Sequence, residues 1–383
     1  MSHFTVLVIG DNVEEQLAPF HEFECTGIDN QYIQEIDQTE EAREAYNTNT
    51  TRRYKHVTPK FPLGKLYDPY LDRFYREPTT EEQKKVGLGS GCGDGISWTS
   101  KDWGDGRGYR AKVHFLPEGW EEVEVPTKDV KMFSEYIEGW YGHVPVKFGR
   151  KPDLSKKHKY GYTLLDANGE VIKTVDRTNP NSKWDFYQIG RRWNGFFMLK
   201  PNHDGTLGTA SLICKMDPDY KSPEAGRADQ CLKGDIDLEG MRDEAGQKAA
   251  DRYDLFTSLT APHPPIVPWD TIRTKHGDGH IDAAREEYHD QPGVKALHAN
   301  KDAAWFETEE FACSREEYID KARKTAISTF AVIKDSVWYE RGSMGWWGIV
   351  TDEKDTNEWQ DKFFSLINDL PDNTLLTLVD CHI

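Results

Sequence analysis

No stretch of this 383-residue chain approaches the about 18 consecutive apolar residues that cross a bilayer as a helix. The opening residues MSHFTVLVIGDN place no basic run ahead of a long apolar segment and a small-residue cleavage site. Neither a signal peptide nor a membrane helix is therefore expected. The six cysteines, at 25, 92, 214, 231, 313 and 381, form no CxxC pair, which argues against a zinc ribbon and a disulfide framework. A reducing cytoplasm is the expected compartment. Positive charge is also short: 48 basic against 66 acidic residues leave a formal charge of −18, which disfavours generic contact with a phosphate backbone. The chain lacks an HExxH helix, a GxSxG elbow, a kinase loop and any internal repeat.

Apolar residues are scarce at 37%, but aromatics reach 12% and include twelve tryptophans. Large rings bury much area per residue, so these can still build a core under a polar surface. The termini are the most legible regions. HFTVLVIG (His3–Gly10) is a β-branched run of strand length ended by Gly10-Asp11-Asn12. VEEQLAPF follows as a short helix and FHEFEC (Phe20–Cys25) as a short strand. Near the other end, Ser314 and Glu317 make a capping box ahead of a helix through Ala326. TFAVIKDSVWYE reads as one strand and MGWWGIV as the next. Trp359, Phe363, Leu366 and Leu370 recur at i, i+4, i+7 and i+11, an amphipathic helix. TLLTLVDCHI closes as a strand apolar on both faces.

These elements predict an α+β fold: a ferredoxin-like mixed sheet formed by both termini, residues 1–40 and 314–383, with a long mixed α/β insertion over 41–313. Within the insertion, KYGYTLLDANGEVIKTV reads as a hairpin around Asp166–Gly169, and YRAKVHFL with EEVEVP as another. Leu238, Met241, Ala245, Ala249, Tyr253 and Phe256 mark one helix face.

The densest candidate motif is NPNSKWDFYQIGRRWNGFF. It gathers the ligand-binding candidates Trp184, Tyr187, Arg191, Arg192 and Trp193, with Gly190 and Gly195 between. A strand bent at Gly190 fits the pattern. Neighbouring arginines on a strand point to opposite faces, so one at most would face inward with the aromatics. That one has the chemistry to stack on a ring or hold a carboxylate or phosphate; the competing reading is core. Other signals are weaker. The glycines at 87, 89, 91, 93 and 95 fail the GxGxxG fingerprint at Asp94. HGDGH offers His276, Asp278 and His280 as metal ligands on a loop, with His263 as a third nitrogen donor. The basic run Lys147–Lys159 reads as a solvated linker. Asp380, Cys381 and His382 are adjacent on a strand and cannot all converge. No catalytic residue, metal ion or cofactor is expected.

The start SHFTVLVIGDN, the centre NPNSKWDFYQIG and the end LLTLVDCHI resemble an uncharacterised protein family encoded by tailed bacteriophages. The resemblance touches both termini and the centre. That family's central motif runs Gly-Gly-Arg-Trp; here Arg191 stands in the place of the second glycine. The resemblance implies the cytoplasm of a bacterial host and assigns no activity. The leading expectation is a non-enzymatic accessory protein that self-associates, as in a ring, with a host protein as a further partner and host antiviral defence as a sensor of it. The alternative is an enzyme or sequestering protein for a small anionic ligand such as a nucleotide. A DNA-mimicking inhibitor ranks last, because the acidic residues are interspersed with lysines. Neither nucleic acid nor membrane is an expected partner.

Overall fold

The structure, a computed structural model, describes residues 2–57, 66–67, 74–76, 79, 96–100, 109–211, 216, 222–345 and 348–383. It is an α+β protein of helices and mixed sheets. Two compact units are present, residues 1–28 with 179–383, and residues 29–178. These boundaries differ from 1–40 with 314–383 around 41–313, because strands from the middle of the chain pair with the C-terminal strand. The glycine-rich segment 87–95 and Trp346 with Trp347 lie outside the described residues.

The first unit is organised on a seven-stranded sheet. Its strands are β1 (His3–Ile9), β2 (Phe186–Arg191), β3 (Thr209–Ala210), β4 (Gln230–Leu232), β5 (Ala331–Lys334), β6 (Val337–Glu340) and β7 (Leu375–His382). The order is β3-β2-β7-β1-β5-β6, with β4 also on β7. β1 and β7 pair antiparallel along their length, from His3 opposite His382 to Ile9 opposite Leu376. β2 and β4 lie end to end along the other edge of β7, at 379–382 and 375–377.

The strand order is not ferredoxin-like. That arrangement splits the first β–α–β pair with a hairpin strand, whereas here β1 and β5 pair directly and in parallel. β6 lies outside them, antiparallel to β5. The turn between β5 and β6 is Asp335-Ser336, with φ of 53° and 58°. Two successive left-handed residues make the tight hairpin turn that folds a strand back on its neighbour. TFAVIKDSVWYE is therefore two strands, not one.

Alternation along the strands gives the sheet two covered faces. On one, Leu7, Ile9, Val332, Leu376 and Leu378 pack against Trp359, Phe363, Leu366 and Ile367 of helix α3 (Thr356–Ile367) and Met241 of α1 (Leu238–Thr260). On the other, Phe4, Val6, Val8, Ala331, Ile333, Val379 and Cys381 pack with Leu17 and Trp184. β7, covered on both sides, has six consecutive buried residues. Helix α2 (Arg315–Thr325) starts at the expected capping box: Ser314 Oγ accepts from Glu317 N, and Glu317 Oε2 accepts from Ser314 N at 2.8 Å. The FHEFEC segment is not a strand. Buried Phe23 anchors a helical turn, Phe23–Thr26, which Gly27 ends at φ 58°.

In the second unit, strands 34–37, 171–178, 161–165 and 144–146 form one sheet in that order. The 161–178 hairpin is as expected, its turn closed by Asp166 N to Glu170 O at 2.9 Å and by Gly169 at φ 87°. Helices Thr39–Thr48 and Phe133–Tyr141 join in a cluster of Ala42, Tyr136 and Ile137. The second expected hairpin is not formed. Strand 120–126 pairs with 50–56, while 109–114 pairs with 75–76 and 96–100.

Candidate functional site

The central motif is built around a buried carboxylate that its own pattern does not contain. Asp229 is fully buried in the gap between β2 and β4, and its carbonyl accepts from Leu378 N of β7 at 2.8 Å. Its carboxylate accepts from Asn194 Nδ2 (2.6 Å), Gly195 N (2.7 Å), Phe196 N (3.1 Å) and Gly208 N (2.8 Å). The chain after β2 wraps this group so closely that a β-carbon on Gly190 would fall 2.3 Å from Asp229 Oδ2. Gly190 also has φ 72°, so the expected bend is there and only glycine fits it.

Arg191 follows at φ 48°, a left-handed conformation costing an L-residue with a side chain roughly 1–2 kcal/mol. The consecutive left-handed residues end the strand, so the rule that places neighbouring arginines on opposite faces no longer applies. Arg191 Nε lies 4.0 Å from Asp380 Oδ2, its guanidinium sits 4.8 Å from the centre of the Phe186 ring, and the backbone N of Arg192 donates to Asp380 Oδ2 at 3.4 Å. The Arg192 side chain is exposed.

Around these arginines are two imidazole–carboxylate pairs. His3 Nδ1 donates to fully buried Asp380 at 2.8 Å, and His382 Nδ1 donates to Asp185 Oδ1 at 2.6 Å. The two imidazoles meet edge to face with centroids 4.7 Å apart, because His3 and His382 are cross-strand partners. Burial pushes the His3 pKa below the ordinary 6.5. The Asp380 bond and charge oppose that push, while Arg192 and Arg191 add to it. His3 is thus a neutral imidazole at pH 7, with its Nδ1 proton fixed on Asp380, which leaves Nε2 as its acceptor.

The five sequence candidates do not form one site. Trp184 and Tyr187 lie in the cluster on the opposite sheet face, rings 5.0 Å apart, with Trp184 stacked on His21 at 4.3 Å and donating to Leu17 O. Trp193 packs against the α3-side core. Arg191 and Arg192 alone reach the polar cluster. His3 and Asp185 were not singled out from sequence; their signal was position, at the two strand ends that register with His382. Cys381 points away from Asp380 and His382 into the apolar cluster, and burial raises its thiol pKa well above the ordinary value. In HGDGH, His276 Nε2 lies 2.6 Å from Glu287, which also holds Lys275 at 2.7 Å. The Asp278 side chain lies outside the described residues. Among the described residues the one convergence of three metal-competent donors is elsewhere, at Glu22, Cys25 and Asp185. No helix among them is long and apolar enough to cross a membrane.

No family model, curated protein or solved structure matches the chain.

Proposed function

We infer that the first unit binds a small anionic ligand of the nucleotide or phosphate-ester class at the Arg191–Arg192 end of its sheet. One observation carries this: Arg191 is held in a left-handed conformation that glycine would adopt without strain. Backbone strain at a side chain persists where the surroundings over-determine it, and it concentrates at functional positions. Here it sets one guanidinium on the Phe186 ring beside the His3–Asp380 pair, with a second arginine next in the chain. Arginines recognise phosphate and carboxylate oxygens through paired N–H groups, and a neutral imidazole with a fixed tautomer supplies an acceptor, or a general base, beside them.

The test is calorimetric titration of the whole protein with nucleoside mono- and triphosphates and with sulfate. Arg192→Ala is expected to weaken binding tenfold or more. Arg191→Gly should do the same while leaving the melting temperature unchanged or higher, since glycine relieves the strain. Sulfate keeps its charge throughout, so its affinity should rise as the pH falls below 6.5 and His3 takes up a proton. A fall in stability of Arg191→Gly with no change in binding would assign the motif a purely structural role.

A second reading is the self-associating bacteriophage accessory protein, as a ring or smaller homo-oligomer. Its support is the exposure of large apolar side chains in the second unit: Trp140 at 71%, Phe148 at 66% and Met132 at 64%. Aromatic side chains are enriched at protein interfaces. Light scattering behind gel filtration is expected to give a mass above one chain that falls with Trp140→Ala; a monomer at micromolar concentration excludes it. A host partner and recognition by host defence rest on the phage resemblance alone.

A further inference from the structure

We propose that Glu22, Cys25 and Asp185 form a binding site for a thiophilic divalent cation of the zinc class. The three donors come from two distant segments of the first unit. Glu22 is the N-cap residue of the Phe23–Thr26 turn and Cys25 lies within it, where a separation of three residues puts both side chains on one side. Asp185 sits just ahead of β2. Its backbone N donates to His382 O at 2.9 Å, and its carbonyl lies 3.2 Å from His21 Nε2. Buried Phe23 and Trp184 anchor the two segments beneath.

The ligand atoms of the three side chains all lie within 4.8 Å of one another, and Cys25 Sγ is 3.5 Å from Glu22 Oε2. Zn–S and Zn–O bonds of about 2.0–2.3 Å in tetrahedral geometry need ligand separations of about 3.3–3.8 Å. The Cys25–Glu22 pair already has that separation. Three protein donors leave a fourth position for water or a ligand, the pattern of an open site. The thiolate, a soft donor, selects zinc-like ions over calcium or magnesium.

Two further observations favour a cation. Among the described residues neither Glu22 nor Asp185 has a lysine or arginine ion-pair partner, so three groups that are negative when ionised converge without a fixed positive charge. Outside the donor set, His382 holds Asp185 Oδ1 at 2.6 Å, the imidazole–carboxylate support that orients carboxylate ligands. On binding, the Cys25 S–H bond breaks, its proton passes to solvent, and the sulfur lone pair goes to the metal. The proposal is independent of the anion reading, because none of its donors is one of the arginines.

Cobalt(II) serves as the optical probe, because thiolate ligation to it gives an intense near-ultraviolet charge-transfer band. The full-length protein, reduced and then freed of metal, is expected to bind a single cobalt ion per chain with that band, and zinc should displace it. Cys25→Ser, at an exposed position, should abolish the band with an unchanged circular dichroism spectrum. Glu22→Gln is expected to weaken zinc at least tenfold, measured against a chromophoric chelator. His382→Gln should weaken it roughly 10–100-fold. Absence of the band in the unaltered protein, or its persistence in Cys25→Ser, overturns the proposal.

Discussion

Asp229→Ala is expected to destabilise the first unit by about 4 kcal/mol or more, a loss few single substitutions reach. The fully buried carboxylate accepts four hydrogen bonds, three from backbone N–H groups. Alanine strands all four donors in a space closed to water. A buried donor left without an acceptor costs about 1–3 kcal/mol, so even the lower end of that range sums to about 4. Asp229→Asn separates the contributions. Its remaining oxygen can serve two of the donors, but its NH₂ group meets the other two, so about half the loss is expected. Urea denaturation followed by tryptophan fluorescence should show the midpoint falling in the order wild type, Asn, Ala. Equal midpoints for wild type and Ala would mean that the 190–208 segment is held by something other than this carboxylate.

Trp359→Ala is expected to cost about 3–5 kcal/mol, the range for emptying a large aromatic site in a core. Trp359 is 2% exposed in the layer between α3 and the sheet, and its Nε1 donates to Thr329 O at 2.9 Å. The substitution removes the ring and leaves that carbonyl without its donor. At about 2–4 °C per kcal/mol for a unit of this size, the melting temperature should fall by about 6–20 °C. Trp359→Phe keeps most of the apolar volume and loses the indole N–H, so it should cost about 1–2 kcal/mol. Calorimetry of the three proteins reads both steps; a Phe variant as unstable as the Ala variant would make the hydrogen bond, not the packing, the larger contribution.

Sequence pattern was informative where one strand or helix face does a single task. The runs FTVLVI and LLTLVD are apolar on successive residues because β1 and β7 are covered on both sides, and that doubling is visible without coordinates. The capping box at Ser314 and the spacing of Trp359, Phe363 and Leu366 are local rules, and the structure follows them. The same reasoning failed where a local pattern had two solutions. FHEFEC alternates like a strand, yet one buried ring and a left-handed Gly27 turn it into a helical turn. TFAVIKDSVWYE carries no glycine at its centre, and Asp335 with Ser336 nevertheless takes the positive φ of a hairpin turn.

The candidate site was legible only in part. Arg191 and Arg192 were recognisable as unusual among aromatics, but the reason they share a cluster is a backbone conformation that no residue type announces. His3, Asp185 and His382 are spread over almost the whole chain and gain meaning from strand register alone.

By itself the sequence determined the α+β class, the two terminal strands and the main helices, because each follows from periodic burial or from a cap within a few residues. Tertiary structure alone decided the direct parallel pairing of β1 with β5, the place of Asp229 among its four donors, and the convergence of His3, His382, Asp380 and Arg191. Those are contacts between groups tens to hundreds of residues apart. A buried polar group draws its value from the partners that surround it, and only the folded chain assembles them.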